Sequence, residues 1–203
     1  MPADNVAARL GFVAFLVAAL PSATWAQQLG TSAAIEAARR GGVVIACRHG
    51  ITDQRQGENE TTLRYDDPTT QRRLTADGER HASAVGEALR TLGVRATEVI
   101  ASPMERAWRT AELMFGSVTR DSTWHTRGDA PSEAQLAARR RALAAPIPGG
   151  NRAIVSHVVT LLSVLETRGS LQEGDCIVAR PTGTGHEVIG QVPWRAWIDA
   201  AAR

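Results

Sequence analysis

The chain has 203 residues, of which 43% are hydrophobic, and a formal net charge of +2 at pH 7. This length suits one domain with a substantial core, and the near-neutral charge excludes the strongly basic surface that is typical of nucleic-acid-binding proteins. The sequence contains no lysine. Every fixed cation is therefore an arginine, and chemistry that needs a Schiff-base or P-loop lysine is excluded.

Residues 1–26 have the pattern of a cleavable secretory signal. Arg9 precedes an uninterrupted apolar stretch, Leu10–Leu20, and the small-residue end "ATWA" comes just before Gln27. Cleavage there would leave residues 27–203 as a single domain that is exported, either periplasmic or secreted. The apolar stretch is shorter than the about 20 residues that span a bilayer, although an uncleaved anchor is the alternative. No later segment is apolar enough to form a stable membrane span.

The first predicted elements lead into two unusual residues. A helix that begins near Thr31 is expected to end at Arg40, where two glycines precede a predicted strand, Val43–Cys47. This apolar strand continues directly into Arg48 and His49. A buried strand that ends in a cation and an imidazole ends either at the surface or in a site.

A long polar segment and a helix follow. Residues 53–73 are polar and lack periodicity, and a loop of that length in a compact domain is usually functional or disordered. Apolar residues at three- and four-residue spacing then predict a helix from Thr75 to Gly93.

The next strand, "EVIAS", ends at Ser102 and is followed at once by a helix signal. Ser102, Pro103 and Glu105 match an N-cap, a proline at the first helical position and the glutamate of a capping box. The predicted helix continues to about Phe115. A strand therefore leads directly into the N-terminus of a helix.

The second half of the chain repeats the strand and helix alternation. The strand "AIVSH" ends at His157, in the same manner as the first strand ends at His49. The other predicted elements are a short strand at 122–124, helices at 132–144 and 158–165, hairpin strands at 176–180 and 186–192, and a final helix containing Trp194 and Trp197.

Strands that alternate with helices indicate an α/β sandwich with a mainly parallel sheet, in which ligands bind beyond the carboxyl ends of the strands. Three predicted strand ends carry polar side chains of this kind: Arg48 with His49, Ser102, and His157. We expect them to converge on one crevice.

At these positions the sequence resembles the histidine phosphatase superfamily, the phosphoglycerate-mutase-like group. The matching residues are Arg48-His49-Gly50, "LTADGERHA" from Leu74, "SPMERAWRTAE" from Ser102, and "VSH" ending at His157. The resemblance implies a three-layer α/β/α sandwich with a mostly parallel mixed sheet. It also implies that His49 is a nucleophile that carries the phosphoryl group.

The chemistry of these residues suits a phosphomonoester. Arg48 and Arg106 can each donate bidentate, charge-assisted hydrogen bonds to phosphate oxygens. A neutral His49 can take the phosphoryl group and release it to water, while His157 stabilises the group in transfer. No metal or other cofactor is required, because arginines and histidines supply the electrophilic groups. The expected partner is a small phosphorylated substrate or a phosphoprotein, with no nucleic acid.

Other residues near His49 bear on phosphate binding. Thr52 matches the threonine of the family pattern "RHGxT", where it would bind phosphate or pack the loop, and Arg55 stands where the family often has asparagine. Arg72 and Arg73 precede Leu74 and are expected in solvated positions, with the pocket as the alternative.

The general acid is the main departure from the family. A glutamate is expected shortly after the third strand, where this chain has "STWHTRGD", so the acid is unknown. The candidate carboxylates are Asp53, Asp66, Asp67, Asp121, Asp129 and Glu133. If no carboxyl group acts there, substrates with good leaving groups should be preferred.

The two cysteines, Cys47 and Cys176, would meet in the strand arrangement of the family. They would then form a disulfide in an exported protein, and two buried thiols are the alternative.

The sequence therefore predicts an exported, metal-independent phosphatase that acts on phosphomonoesters or phosphoramidates through phosphohistidine. A phosphate-binding or regulatory pseudoenzyme on the same fold is the alternative, and a glycolytic mutase is a third, less favoured reading. The sequence specifies neither the substrate nor the oligomeric state.

Overall fold

A computed structural model of the chain describes residues 23–58, 62–125 and 130–203. One six-stranded sheet with the strand order β3-β2-β4-β1-β5-β6 organises them. All neighbouring strands are parallel except for β5, which runs antiparallel to both β1 and β6. The strands are β1 (Val44–Arg48), β2 (Ala96–Ala101), β3 (Thr119–Arg120), β4 (Asn151–Ser156), β5 (Cys176–Pro181) and β6 (His186–Val192).

Helices cover both faces of this sheet. They are α1 (Ala23–Arg40), α2 (Ala76–Thr91), α3 (Glu105–Phe115), α4 (Glu133–Ala144), α5 (Val158–Val164) and α6 (Trp194–Ala201), with short 3-10 helices at Pro68–Thr70 and Ser122–Trp124. Helices α1, α2, α3 and α6 pack on one face, and α4 and α5 pack on the other. The predicted three-layer α/β/α sandwich with a mostly parallel mixed sheet is confirmed. Among the described helices, none combines the length and apolar character that a membrane crossing needs.

The alternating side chains of β1 explain why its sequence is apolar throughout. Ile45 and Cys47 are buried under the layer that contains α1 and α2, whereas Val44 and Ala46 are buried under α4 and α5. A central strand covered on both faces has no solvent-facing side and therefore shows no hydrophobic alternation. Only at its last residue, Arg48, does the strand become partly exposed.

Two predicted element boundaries are wrong. Helix α1 begins at Ala23 instead of near Thr31, so the predicted cleavage point before Gln27 falls within it, and residues 1–22 lie outside the described chain. The segment 122–124 is a 3-10 turn and not a strand, because the Asp121 carboxylate accepts a hydrogen bond from the Thr123 amide and closes the chain into a turn. The strand is the preceding pair, Thr119–Arg120.

The predicted capping box at the start of α3 is also absent. The N-cap residue is Met104, with no side-chain cap, and the amide of Glu105 donates instead to Gln71 Oε1 at 2.7 Å. The hydroxyl of Ser102 lies 2.9 Å from Nε2 of His157. Ser102 therefore binds a side chain of the crevice, and the helix begins two residues later.

Cys47 and Cys176 lie directly opposite each other in the β1 and β5 register. Both are fully buried, and their Sγ atoms are 2.08 Å apart, the distance of a disulfide. The link joins β1, which leads into His49, to the first residue of β5. Oxidation of this pair in the cell stays a prediction, which is developed below with the proposal of export.

Candidate active site

Three neighbouring strands, β2, β4 and β1, end side by side and place the polar residues of the site. Arg48 and His49 follow β1, Ser102 follows β2 and His157 follows β4. The structure brings them together at the carboxyl edge of the parallel strands, where ligands of α/β sheets bind. A cavity of about 550 Å³ opens there, and its walls include Arg48, His49, Arg106, His157, Arg72, His125 and Arg139.

His49 is buried and has a defined orientation. Its Nδ1 lies 2.9 Å from the carbonyl oxygen of Gly50, which can only accept, so the proton is on Nδ1 and the lone pair is on Nε2. Burial, followed by the charge of Arg106, lowers the pKa of His49 to about 3. The ring is therefore neutral near pH 7, which is the state that a nucleophilic imidazole needs.

The loop after His49 is fixed by backbone contacts. The amide of His49 donates to Ser156 O at 3.0 Å, and the amide of Gly50 donates to Thr110 Oγ1 at 2.8 Å. Helix α2 touches the same loop through Gly78, where a Cβ atom would lie only 2.2 Å from Ile51 O. Any other residue at this position would push the helix away from the loop that carries the nucleophile.

Three arginines supply donors to the cavity. The Nε atoms of Arg48, Arg72 and Arg106 are buried and have no hydrogen-bond partner among the described residues. Buried donors without an acceptor are costly, and the oxygens of a phosphate would satisfy them. The prediction that Arg72 is solvated is wrong, because this residue lines the cavity, while Arg73 is exposed and lies 4.0 Å from Glu105.

His157 lies between Arg106 and Ser102. Nη2 of Arg106, which can only donate, is 3.5 Å from Nδ1 of His157, so this neutral ring carries its proton on Nε2, towards Ser102. Burial and then Arg106 hold the pKa of His157 well below its usual range. Its ring centroid is 5.5 Å from that of His49, so the two rings form adjoining parts of the cavity wall.

Two glutamates, which sequence reasoning missed, balance these cations. Glu58 Oε1 accepts hydrogen bonds from Nη1 of Arg106 and, at 3.0 Å, from the amide of Arg72. Glu173 lies 3.5 Å from Nη2 of Arg48 and 3.9 Å from Nδ1 of His49. The carboxylates lower the cost of burying like charges close together while the site holds no phosphate.

Glu173 also explains the position of Thr52. The Thr52 hydroxyl donates to Glu173 Oε1 at 2.8 Å, and the side chain is buried. Its hydroxyl thus contacts a carboxylate that also lies beside Arg48, and phosphate binding by Thr52 stays a prediction.

Comparison with known proteins gives a family match for part of the chain. A family model described as histidine phosphatase superfamily, branch 1, matches residues 44–127, which include Arg48, His49 and Arg106. Over these residues the chain is similar to that superfamily. The probable phosphoglycerate mutase GpmB of Citrobacter koseri is 38% identical over 84 residues, which are 41% of this chain and 35% of that relative. The chain thus spans about a third of the length of the curated relative that it matches.

Solved structures share the fold at low sequence identity. The protein histidine phosphatase SixA in complex with tungstate has a TM-score of 0.55 at 17% identity, over 75% of this chain and 97% of that chain. A putative phosphohistidine phosphatase SixA from Agrobacterium tumefaciens has a TM-score of 0.54 at 16% identity, over 75% and 98% of the two chains.

The segment after β3, where the histidine phosphatase pattern expects the general acid, has no carboxylate in the cavity among the described residues. Asp53 pairs with Arg55 and Asp66 with Arg64, whereas Asp67 and Asp121 cap 3-10 helices and Glu133 is exposed at the start of α4. Asp129 lies outside the described residues. The described residue of this segment that lines the cavity is His125. Within the described ranges, no three His, Cys, Asp or Glu residues cluster as a metal site would.

Proposed function

We propose that the protein is a phosphatase that hydrolyses phosphomonoesters or phosphoramidates through a phosphohistidine on His49. The observation that carries this proposal is the neutral His49 ring, whose Nδ1 proton is held by Gly50 O, in a cavity lined by three arginines whose Nε atoms are buried. A nucleophile with its lone pair available and fixed cations around it are the two requirements of phosphoryl transfer without a metal.

The reaction then has two steps. Nε2 of His49 attacks phosphorus, and the bond from phosphorus to the leaving group breaks while Arg48 and Arg106 offset the charge on the equatorial oxygens. Water next attacks the phosphohistidine, the P–N bond breaks, and phosphate and the neutral imidazole are restored. Glu58 and a phosphate oxygen would then share the donors of Arg106, whose Nε has no partner among the described residues.

The activity is tested with the purified chain, 4-nitrophenyl phosphate, phosphohistidine and a panel of phosphorylated metabolites in excess EDTA. We expect turnover that EDTA leaves unchanged and that vanadate or tungstate inhibits, because these oxyanions resemble phosphate. Strict dependence on an added metal would contradict the mechanism. Tight binding of phosphate esters without turnover would instead identify a phosphate-binding pseudoenzyme.

We also propose that the protein is exported after cleavage before Gln27. The apolar stretch Leu10–Leu20 and the small residues that follow it support this proposal, and so does the contact between Cys47 and Cys176, since disulfides persist in oxidising compartments. Protein recovered outside the cytoplasm should begin at Gln27 by mass spectrometry. In the unfolded, unreduced state it should contain no titratable thiol, whereas two free thiols would exclude the bond.

A further inference from the structure

His125 lies in the segment after β3, where the family pattern expects a carboxylic acid. Its side chain is 8% exposed and lines the same cavity as His49 and His157. Its ring centroid is 5.0 Å from that of His157, whose own centroid is 5.5 Å from that of His49. Three histidines therefore follow one another along the cavity wall. His49 is the proposed nucleophile, His157 is predicted to stabilise the group in transfer, and His125 has no role in the mechanism above.

Hydrogen bonds fix the two residues that precede His125. The carbonyl of the buried Trp124 accepts a hydrogen bond from Ser156 Oγ at 2.6 Å, which fixes the turn to the end of β4. Nε of Arg139, on α4, donates to the Thr123 carbonyl at 2.7 Å. A group that transfers a proton must be held in a defined position, and this turn provides one.

Tyr65 orients the ring. Its hydroxyl lies 2.8 Å from Nδ1 of His125, and the two rings meet edge to face with centroids 5.6 Å apart. A histidine whose Nδ1 is engaged in this way exchanges protons with a ligand through Nε2.

We propose that His125 is the proton donor to the leaving group of the phosphatase reaction, an inference that rests on the proposed function. In the first step His125, protonated as the dianionic phosphate enters the cavity, donates its Nε2 proton to the departing oxygen, as the P–O bond breaks and the P–N bond to His49 forms. In the second step the now neutral Nε2 accepts a proton from the attacking water. The ring is thereby returned to its starting state, and the tyrosine hydroxyl accepts from Nδ1–H of the cationic form.

Glu58 is the rival candidate, and its contacts favour a different role. One of its oxygens already accepts from Arg106 and from the amide of Arg72, which are donors suited to a phosphate oxygen. A carboxylate in that position competes with the phosphate group itself. His125, by contrast, lines the same cavity wall with its Nδ1 beside the Tyr65 hydroxyl.

The test uses the full chain and two substrates that differ in the leaving group, 4-nitrophenyl phosphate and glycerol 3-phosphate. An alkoxide needs a proton far more than nitrophenolate does. We expect His125→Gln to lower kcat/KM for the glycerol ester by about 10²- to 10⁴-fold, the usual contribution of a general acid, and to change that for the aryl ester by about tenfold or less. Tyr65→Phe should lower only the glycerol ester rate, by a smaller factor.

An equal loss on both substrates, with an unchanged unfolding temperature, would overturn the proposal, since a structural role affects both. A selective loss in Glu58→Gln with none in His125→Gln would assign the acid to Glu58 and overturn it as well. Failure of the proposed function has a different signature, because the unaltered chain would then hydrolyse neither ester.

Discussion

Replacement of His49 by alanine should abolish phosphoryl transfer. We expect kcat/KM to fall by more than about 10³-fold, the scale for the loss of a nucleophile, and the phosphorylated protein to disappear. The reason is that His49 is the buried imidazole with its lone pair on Nε2 among the cavity arginines. Rapid quenching with radiolabelled substrate, without acid, should trap a phosphoprotein that is labile in acid and stable in base.

His186→Ala is the matched control for this experiment. This histidine lies on β6, where its Nε2 is 3.3 Å from the carbonyl oxygen of Leu165, and it does not line the cavity. Its variant should retain both the rate and the trapped phosphoprotein. Wild-type turnover in His49→Ala would show that another group takes the phosphoryl group.

The pH dependence of kcat/KM provides a further check on the same residue. With the pKa of His49 lowered to about 3, the free enzyme keeps this nucleophile unprotonated from pH 7 down to about pH 4. The loss of activity on acidification should therefore not follow an ordinary histidine pKa of about 6.5. For a substrate that binds as the dianion, it should follow the second ionisation of the phosphate, at about 6.

The parts of the site that sequence predicts are those at strand ends. Arg48, His49 and His157 each follow an apolar run, and neighbouring parallel strands deliver such residues to the same edge of the sheet. This convergence follows from the parallel arrangement of the strands alone. Arg106, in the first turn of α3, lies at the same edge of the sheet.

The parts that sequence does not predict depend on long-range pairing from segments without periodicity. Glu173 meets Thr52 across 121 positions of the chain, and Glu58 meets Arg106 across 48. Neither glutamate belongs to a repeating pattern, and a carboxylate in a polar loop resembles any solvated one. For the same reason the sequence does not predict that Arg72 lines the cavity.

His125 is a different case. The family pattern predicts a carboxylate in "STWHTRGD", whose one acidic residue, Asp129, lies outside the described residues, whereas His125 of the same stretch lines the cavity. The adjacent Trp124 is the sequence signal for His125, because its burial fixes the position of the residue that follows it. Ser102 shows the converse case, in which a strong capping signal marked a residue that instead contacts His157.

Replacement of Arg106 by alanine should cause the second largest loss. This side chain is 5% exposed, its Nε lacks a partner among the described residues, and it lies beside both His157 and Glu58. We expect kcat/KM to fall by about 10²-fold or more, the scale for removal of one preorganised donor, with a parallel loss of affinity for vanadate. Arg106→Lys should recover only part of the rate, because an ammonium group keeps the charge but not the bidentate geometry.

Arg109→Ala serves as the control on the same helix. Arg109 is partly exposed and pairs with Glu79 and Glu112, away from the cavity, so its variant should change kcat/KM by about twofold or less, as surface substitutions usually do. Thermal unfolding separates loss of function from loss of structure. Arg106→Ala leaves Glu58 without its Arg106 partner and should lower the unfolding temperature, so the rates are compared at a temperature where both variants are fully folded. A variant that keeps wild-type kcat/KM and vanadate affinity would show that phosphate binds away from the Arg106 guanidinium.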